Sequence, residues 1–166
     1  MIDRGGFEHP ERFELIEGLI VEKMGQNEPH RIALRLAIEA LSLVFPAEFS
    51  VVAGSPLAMT DRSEPEPDMM VVPRGLRRDL TTEDVLLVLE VSDTSLRKDQ
   101  TTKAALYARH GIPEYVILDV TTRRAEIRRR PEGEGWGETT ILTESGEFTP
   151  LGGKAPIRVG DLFAEP

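Results

Sequence analysis

The segment that most constrains the fold is Val-Leu-Leu-Val-Leu-Glu-Val at residues 85–91, which is apolar at every position but one. Alternate side chains of a β-strand point to opposite faces, so this composition indicates a strand buried on both faces at the centre of a sheet. A predicted helix from Ser95 to His110 follows, and a second apolar strand covers residues 114–119. A strand, a helix and a second strand imply a crossover connection, and hence a mixed sheet with helices on its faces.

Further elements are predicted along the chain. Residues 12–24 predict a β-hairpin that turns at Glu17-Gly18. Asn27 is a suitable N-cap for an amphipathic helix, which Pro46 ends. The remaining predicted strands cover residues 49–59 (with a bend at Gly54–Pro56), 69–72, 123–130, 137–143 and the start of 157–163. We expect the third and fourth of these strands to form a meander at one edge of the sheet.

A chain of 166 residues, 40% hydrophobic and 30% charged, has the size and composition of one globular domain. We expect that domain to cover residues 1–166, with residues 1–11 as a mobile terminus. The absence of cysteine excludes a disulfide framework, a zinc ribbon and a thiol nucleophile. No apolar stretch reaches the ~18–20 residues that span a bilayer, and the N-terminus lacks the features of a signal peptide. A cytoplasmic protein without a membrane partner is therefore expected.

The charge balance limits the classes of function. Lys and Arg number 20 and Asp and Glu number 29, which gives a net charge of −9. A chain of this charge repels polyanions beyond a Debye length, which argues against a non-specific nucleic-acid coat protein. It does not argue against a nuclease whose site carries a divalent metal. The sequence has no Walker-type phosphate loop, no dinucleotide fingerprint and no plausible Ser-His-Asp set.

Two acidic residues interrupt apolar strands. Asp68 follows Pro65 and Pro67 and directly precedes four apolar residues, and Glu90 lies near the end of the predicted central strand. An isolated buried carboxylate must be paired, protonated or bound to a metal. Each residue alone is better explained as a solvated carboxylate that lies at a strand end and caps a neighbouring loop. Together, at the ends of two buried strands, they favour a site for a hard cation, which prefers oxygen ligands.

Lys103 is a candidate third member of this site. On a helical wheel it lies between Leu106 and Tyr107, on the side expected to pack against the sheet. A lysine on that side needs an anionic partner, and Glu90 precedes the helix. An exposed ion pair between Lys103 and Asp99, one helical turn apart, is an equally good interpretation of the spacing.

The order of these motifs resembles one bacterial family. The matching segments are FELIEG (13–18), a helix that begins near His30, PEPD (65–68), LEVSDTSLRKDQTTKAALYARHGIPEYVILD (89–119) and VGDLF (159–163). They resemble the Uma-type family of putative restriction endonucleases, within the PD-(D/E)XK nuclease superfamily. The resemblance implies an α/β fold of the restriction-endonuclease type. In that fold a mixed central sheet is flanked by helices, with an N-terminal hairpin and a C-terminal edge meander.

The resemblance also implies roles for residues. Asp68 and Glu90 match the two acids of the superfamily and would bind Mg2+ or Mn2+. The usual lysine position, two residues after the second acid, is occupied by Ser92, and Lys103 on the following helix is the natural replacement. The implied reaction is phosphodiester hydrolysis by a metal-activated water, with the lysine orienting the water or stabilising developing negative charge.

Glu14 and His30 are candidate supporting residues, and the sequence allows two interpretations of each. Glu14 either reaches the metal, directly or through water, or is an outward-facing strand carboxylate. His30 either contacts the phosphate or a site carboxylate, or is a satisfied buried histidine. We expect Tyr107 to belong to the core with its hydroxyl near the site, and Asp99 to pair with Lys103 or Arg97.

Two groups of arginines either contact DNA phosphates or form solvated charged surfaces. One group lies in the predicted meander and the other follows the Asp68 strand: Arg123, Arg124, Arg128, Arg129 and Arg130, and Arg74, Arg77 and Arg78.

The sequence leaves three functions open. The first is a Mg2+-dependent DNA endonuclease, most simply a homodimer, because a two-fold pair of sites cuts both strands of a duplex. The second is a catalytically inactive nuclease fold that acts as a nucleic-acid- or protein-binding module. The third is a metal-dependent hydrolase of a smaller phosphoester.

Overall fold

The computed structural model describes residues 13–23 and 25–164, so the predicted mobile terminus at residues 1–11 lies outside the described residues. A single domain over residues 1–166 stays a prediction. The described strands are β1 (Phe13–Ile16), β2 (Leu19–Glu22), β3 (Phe49–Ala53), β4 (Met69–Pro73), β5 (Leu87–Ser92), β6 (Glu114–Asp119), β7 (Arg124–Glu132), β8 (Gly135–Leu142), β9 (Glu147–Phe148) and β10 (Ile157–Arg158). The described helices are α1 (Glu28–Val44), α2 (Leu96–Lys98) and α3 (Ala104–Arg109), with a π-helical turn (Asp99–Lys103) between the last two and 3-10 turns at Thr82–Asp84 and Val159–Leu162.

A six-stranded mixed sheet forms the centre of the molecule, in the order β3-β4-β5-β6-β7-β8. β5 and β6 are parallel and joined by the helical crossover α2–α3, whereas the other neighbours are antiparallel. Every residue of β5 and β6 is buried, as the apolar composition of these segments predicts. The predicted fold class, a mixed sheet with flanking helices, an N-terminal hairpin and an edge meander, is confirmed.

Alternate residues of the central strands face two different layers. Met69 and Val71 of β4 pack in the same cluster as α1, whereas Met70 and Val72 pack in the cluster that contains α3. In β5, Val88 belongs to the α3 cluster. Because side chains alternate along a strand, Glu90 points to the same face as Val88, beneath the helical crossover.

The N-terminal hairpin is a separate two-stranded sheet. Its turn is made by Glu17 and Gly18, both with positive φ (52° and 84°), as a tight hairpin turn requires. Leu15 and Glu64 exchange backbone hydrogen bonds of 3.4 and 2.9 Å, which attach the hairpin to the segment before β4. This attachment brings β1 to the edge of the β4–β5 junction.

Three predicted boundaries differ from the structure for local reasons. The strand predicted over residues 49–59 ends at Ala53, at the predicted bend, where Gly54 adopts a positive φ of 57° and turns the chain. The central strand begins at Leu87 rather than residue 85, after the 3-10 turn Thr82–Asp84. The predicted continuous helix from Ser95 to His110 contains a π-helical turn. No helix in the described ranges is long and apolar enough to cross a membrane.

Candidate active site

Asp68 and Glu90 lie side by side where β4 and β5 separate. The last pair of the ladder is Met69 with Leu89, so Asp68 and Glu90 occupy the next register position. The backbone N–H of Asp68 donates to Glu90 Oε2 at 3.3 Å, and the backbone N–H of Val91 donates to Asp68 Oδ2 at 2.8 Å. The two carboxylates therefore continue the ladder with side-chain hydrogen bonds, which fixes both at the end of the strand pair.

Glu90 is buried and receives hydrogen bonds from the helical crossover. Lys103 Nζ and Tyr107 Oη each lie 2.8 Å from Glu90 Oε1. Burial raises the pKa of Glu90 to about 8; the attraction of Lys103 opposes this rise, and the nearby charge of Asp68 adds to it. Additional positive charge beside Glu90 would therefore strongly favour its ionised form.

Lys103 reaches the site from the end of the π-helical turn. Its Nζ lies 2.8 Å from Glu90 Oε1 and 3.2 Å from Glu14 Oε2, and its side chain is 6% exposed. Burial alone would lower the pKa of Lys103, but Glu90, Glu14 and Asp99 outweigh burial and hold the pKa above its ordinary value. Of the two predicted pairings of Lys103, the structure contains the buried ion pair with Glu90. The alternative exposed pair with Asp99 is absent from the described residues.

Glu14 points into the molecule from β1. It is 2% exposed, and its Oε1 accepts a hydrogen bond of 2.9 Å from Lys98 Nζ. Its Oε2 accepts the backbone N–H of Glu66 at 3.3 Å and lies 3.2 Å from Lys103 Nζ. Burial opposes ionisation, but Lys103 and Lys98 lower the pKa of Glu14 below its ordinary value. The outward-facing interpretation of Glu14 is therefore wrong, because β1 turns Glu14 and Ile16 inward.

His30 lies in the first turn of α1, which Asn27 caps by accepting the backbone N–H of His30 at 3.0 Å. Its Nε2 lies 3.4 Å from Asp68 Oδ2. Its Nδ1 is buried and finds no partner among the described residues, so His30 is not a fully satisfied core histidine. Burial alone would raise the pKa of Asp68, but His30 and the N–H of Val91 outweigh it and lower that pKa.

Asp99 has other partners than those predicted. Its Oδ2 accepts hydrogen bonds of 2.6 Å from the hydroxyls of Ser92 and Ser95. Within residues 13–23 and 25–164 it forms no ion pair with Lys103 or Arg97, so the predicted pairing is wrong. The reason is that Asp99 begins the π-helical turn on the side that faces β5, where Ser92 is closest.

These side chains line one cleft of about 440 Å³ between the hairpin, α1 and the β4–β5 junction. The described residues contain no set of three or more His, Asp or Glu side chains that could hold a metal ion by themselves. Mg2+ does not need such a set, because it is usually bound by one or two carboxylates together with waters and substrate phosphates. Asp68 Oδ1 accepts no hydrogen bond from the described residues, and Glu90 Oε2 accepts only the long one from Asp68. The donor set therefore suits an incompletely enclosed hard cation.

Lys98 is a second lysine of the cleft that the sequence did not predict. It lies on α2, and its side chain is 26% exposed. The only sequence signal was its position in the helix that carries Lys103. Its partner Glu14 is 84 residues away along the chain, so no local pattern reveals the contact.

Four of the eight arginines in the predicted basic groups are paired with acidic neighbours. Arg123 pairs with Glu144, Arg128 with Glu126, Arg129 with Glu114 and Arg78 with Asp84. For these four arginines the structure favours the charged-surface interpretation over phosphate binding. Among the described residues, Arg74, Arg77, Arg124 and Arg130 form no such ion pairs.

Comparisons with known proteins agree with this architecture. A family model, Uma2, described as "Putative restriction endonuclease", matches residues 3–152. Among solved structures, the chain is similar to that of a putative nuclease belonging to DUF820 from Anabaena variabilis ATCC 29413. That similarity has a TM-score of 0.70 at 16% identity and covers 90% of this chain and 88% of the other, so it concerns the fold. No curated protein matches the chain.

Proposed function

The chain belongs to the Uma2 family of putative restriction endonucleases, and we propose that it is a divalent-metal-dependent endonuclease that hydrolyses phosphodiester bonds of DNA. The family match confirms the resemblance found in the sequence. The observation that carries the proposal is the placement of Asp68, Glu90 and Lys103 together at one cleft. Two carboxylates joined across a strand junction and a buried ammonium group 2.8 Å from one of them suit hydrolysis of a phosphodiester.

Asp68 Oδ1 and Glu90 Oε2 are the atoms that would bind Mg2+ or Mn2+. The chemistry that this cation supplies when bound is polarisation of the scissile phosphate and a lower pKa of a coordinated water. Lys103 orients the attacking water or stabilises the negative charge that develops on the phosphate. Both roles of Lys103 need its ammonium group fixed in a site of low dielectric, and Glu90 and Glu14 hold the ammonium there.

The surrounding residues hold these groups in place. His30 Nε2 supports Asp68, and the Tyr107 hydroxyl supports Glu90. Glu14 binds both Lys98 and Lys103, so we assign it to lysine positioning rather than to the metal. Lys98 is more exposed than Lys103 and is the residue we assign to contact with an incoming phosphate.

The family supports DNA as the proposed substrate, and a chain of net charge −9 would need a bound cation to hold it. A bound dication would offset the negative charge of the cleft, whose lysines Lys98 and Lys103 are already paired with Glu14 and Glu90. A homodimer related by a two-fold axis would place two clefts against the two strands of a duplex. Light scattering of the purified protein at several concentrations measures that oligomeric state.

DNA cleavage tests the proposal. Supercoiled plasmid, linear duplex and single-stranded DNA are incubated with the protein and Mg2+, Mn2+ or a chelator. We expect metal-dependent nicking or cleavage that Asp68→Ala lowers by about a hundredfold or more, because even outer-shell partners of a metal contribute up to about that factor.

Asp119→Asn is the matched control, because Asp119 is a buried carboxylate at the end of the neighbouring strand β6 and binds Thr121 and Thr122 outside the cleft. Cleavage by Asp68→Ala at the rate of the unsubstituted protein would overturn the proposal.

A second candidate function is a nuclease fold that binds nucleic acid without cleaving it. The observation that favours it is Ser92 at the usual lysine position, where its hydroxyl binds Asp99 instead of facing a substrate. This function predicts DNA binding that is independent of divalent cations and survives Glu90→Ala and Lys103→Ala.

A further inference from the structure

The helix between β5 and β6 is widened by a π-helical turn that begins at Asp99 and ends at Lys103. The backbone N–H of Ala104 donates to the carbonyl of Asp99, the five-residue spacing that defines such a turn. A π-turn contains an extra residue relative to an α-helix, so it rotates the side chains that follow it. Such turns are rare and frequently lie at functional sites. The direction in which Lys103 leaves the helix therefore depends on this turn.

Asp99 holds the beginning of the turn at several points. Its carboxylate is buried and accepts hydrogen bonds of 2.6 Å from the hydroxyls of Ser92, on β5, and Ser95, before α2. Its carbonyl oxygen accepts the hydroxyl of Tyr115, on β6, at 3.1 Å. One residue thus ties the π-turn to both parallel strands of the sheet.

The other end of the turn delivers two groups to Glu90. Lys103 Nζ and, one helical turn later, Tyr107 Oη both lie 2.8 Å from Glu90 Oε1. Ser92 lies two residues after Glu90, and alternation along β5 places the two side chains on the same face. The strand β5 therefore carries both the carboxylate that binds Lys103 and the hydroxyl that binds Asp99, the first residue of the π-helical turn that ends at Lys103.

We propose that Asp99 is a positioning residue that fixes Lys103 in the cleft by clamping the π-helical turn to β5 through Ser92 and to the segment before α2 through Ser95. The inference rests on the proposed function for its effect on catalysis, but not for its effect on Lys103. Asp99 touches no reacting atom in this account. Its removal releases the turn, and Lys103 then spends part of its time away from Glu90 and Glu14.

The first test measures the accessibility of Lys103 in metal-free protein. Native protein is treated briefly with acetic anhydride, and acetylation of each lysine is followed by mass spectrometry. Lys103 is 4% exposed and reacts slowly, whereas exposed Lys154 serves as the internal reference. We expect Asp99→Ala to raise the relative acetylation rate of Lys103 about tenfold, the change that a loss of about 1.4 kcal/mol in the free energy of local opening gives.

Control variants separate positioning from general loss of stability. Asp119→Ala removes a different buried carboxylate that also accepts a hydroxyl hydrogen bond, from Thr122. We expect it to leave the reactivity of Lys103 unchanged. Ser95→Ala removes one donor to Asp99 and should raise the acetylation rate of Lys103 by a smaller factor than Asp99→Ala does. Ser95→Thr keeps the hydroxyl, so we expect the low acetylation rate of the unsubstituted protein. The Ser95 pair decides the question if Asp99→Ala fails to fold.

The second test is kinetic. Asp99→Ala should lower kcat for DNA cleavage by about ten- to a hundredfold while KM changes less than about threefold, because substrate contacts are kept and the lysine is misplaced. Unchanged acetylation of Lys103 in the folded Asp99→Ala and Ser95→Ala variants would overturn the inference. If the unsubstituted protein cleaves no DNA, the proposed function fails, and acetylation alone still decides the role of Asp99.

Discussion

Glu90 is the residue on which the site is centred. It receives Lys103 and Tyr107 on one carboxylate oxygen and the backbone of Asp68 on the other. Burial makes its charge costly, and a neighbouring cation offsets that cost. A carboxylate within an apolar strand is stable only where positive or hydrogen-bonding groups surround it, and Lys103 and Tyr107 do so at Glu90.

Lys103 and Lys98, both in the cleft, should differ in their effect on stability. Lys103→Met leaves Glu90 and Glu14 with less positive charge in a buried site, so we expect the free energy of unfolding to fall by about 3 kcal/mol. Lys98→Met removes a partly exposed cation, and its buried partner Glu14 keeps Lys103, so we expect a smaller cost of about 1.5 kcal/mol. Urea unfolding of both variants measures the difference, and equal costs would contradict the buried placement of Lys103.

At the residue scale, the informative sequence signal was a residue that broke a local pattern. Asp68, Glu90 and Lys103 each stand out within an apolar strand or on an apolar helix face, and the structure brings them together. Glu14 could not be oriented, because a four-residue strand fits the sheet with either face inward. The partners of Lys98 and Asp99 depend on tertiary contacts that no local spacing encodes.

The 3-10 turn before β5 is held by an acidic cap. Asp84 accepts two hydrogen bonds of 2.7 Å from Arg78 and one of 2.9 Å from the backbone N–H of Thr81. Arg78 and the N–H of Thr81 hold the pKa of Asp84 well below its usual range. This element sets where the central strand begins, although it lies outside the cleft.

This cap predicts a pH-dependent contribution to stability. A lowered pKa in the folded state means that the stabilisation is complete above the ordinary pKa of 3.8 and is lost as the pH falls below it. We expect Asp84→Asn to lower the free energy of unfolding by about 1 kcal/mol at pH 7, and by less as the pH drops below about 4. Urea unfolding at several pH values measures this, and a constant penalty would contradict the assignment.

Elements with strong periodicity were predicted well. The hairpin, α1, β5 and β6 follow from their turn residues, caps and apolar patterns. The π-helical turn Asp99–Lys103 was not predicted, because a helical wheel assumes a constant angle per residue and the extra residue is stabilised by the tertiary partners of Asp99. The pairing of β9 with β10 was also missed, since both strands have only two residues.

At the scale of the whole molecule, the fold and the family follow from the order of the motifs, and both predictions are confirmed. The basic surface is the main difference, because a run of arginines in the sequence does not reveal the glutamates that pair with it. The net charge of −9 is therefore offset only in part by unpaired arginines, and the cleft lysines are paired with Glu14 and Glu90. A cation bound in the cleft would be the main further source of local positive charge.

DNA binding should accordingly depend on divalent cations. We expect affinity for a short duplex, measured by fluorescence anisotropy on ice in low salt, to increase about tenfold or more when Mg2+ replaces a chelator. The reason is that a bound dication supplies the charge that attracts the phosphates, and added monovalent salt should weaken the binding. Equal affinity with and without Mg2+ would favour the inactive binding module instead.

The most direct test of the cleft as a metal site is a Mn2+ titration of the purified protein followed by electron paramagnetic resonance. The account predicts one Mn2+ bound per chain, retained in Asp119→Asn and lost in Asp68→Ala and Glu90→Gln. A protein that binds no Mn2+, or an Asp68→Ala variant that binds it as the unsubstituted protein does, would contradict the account.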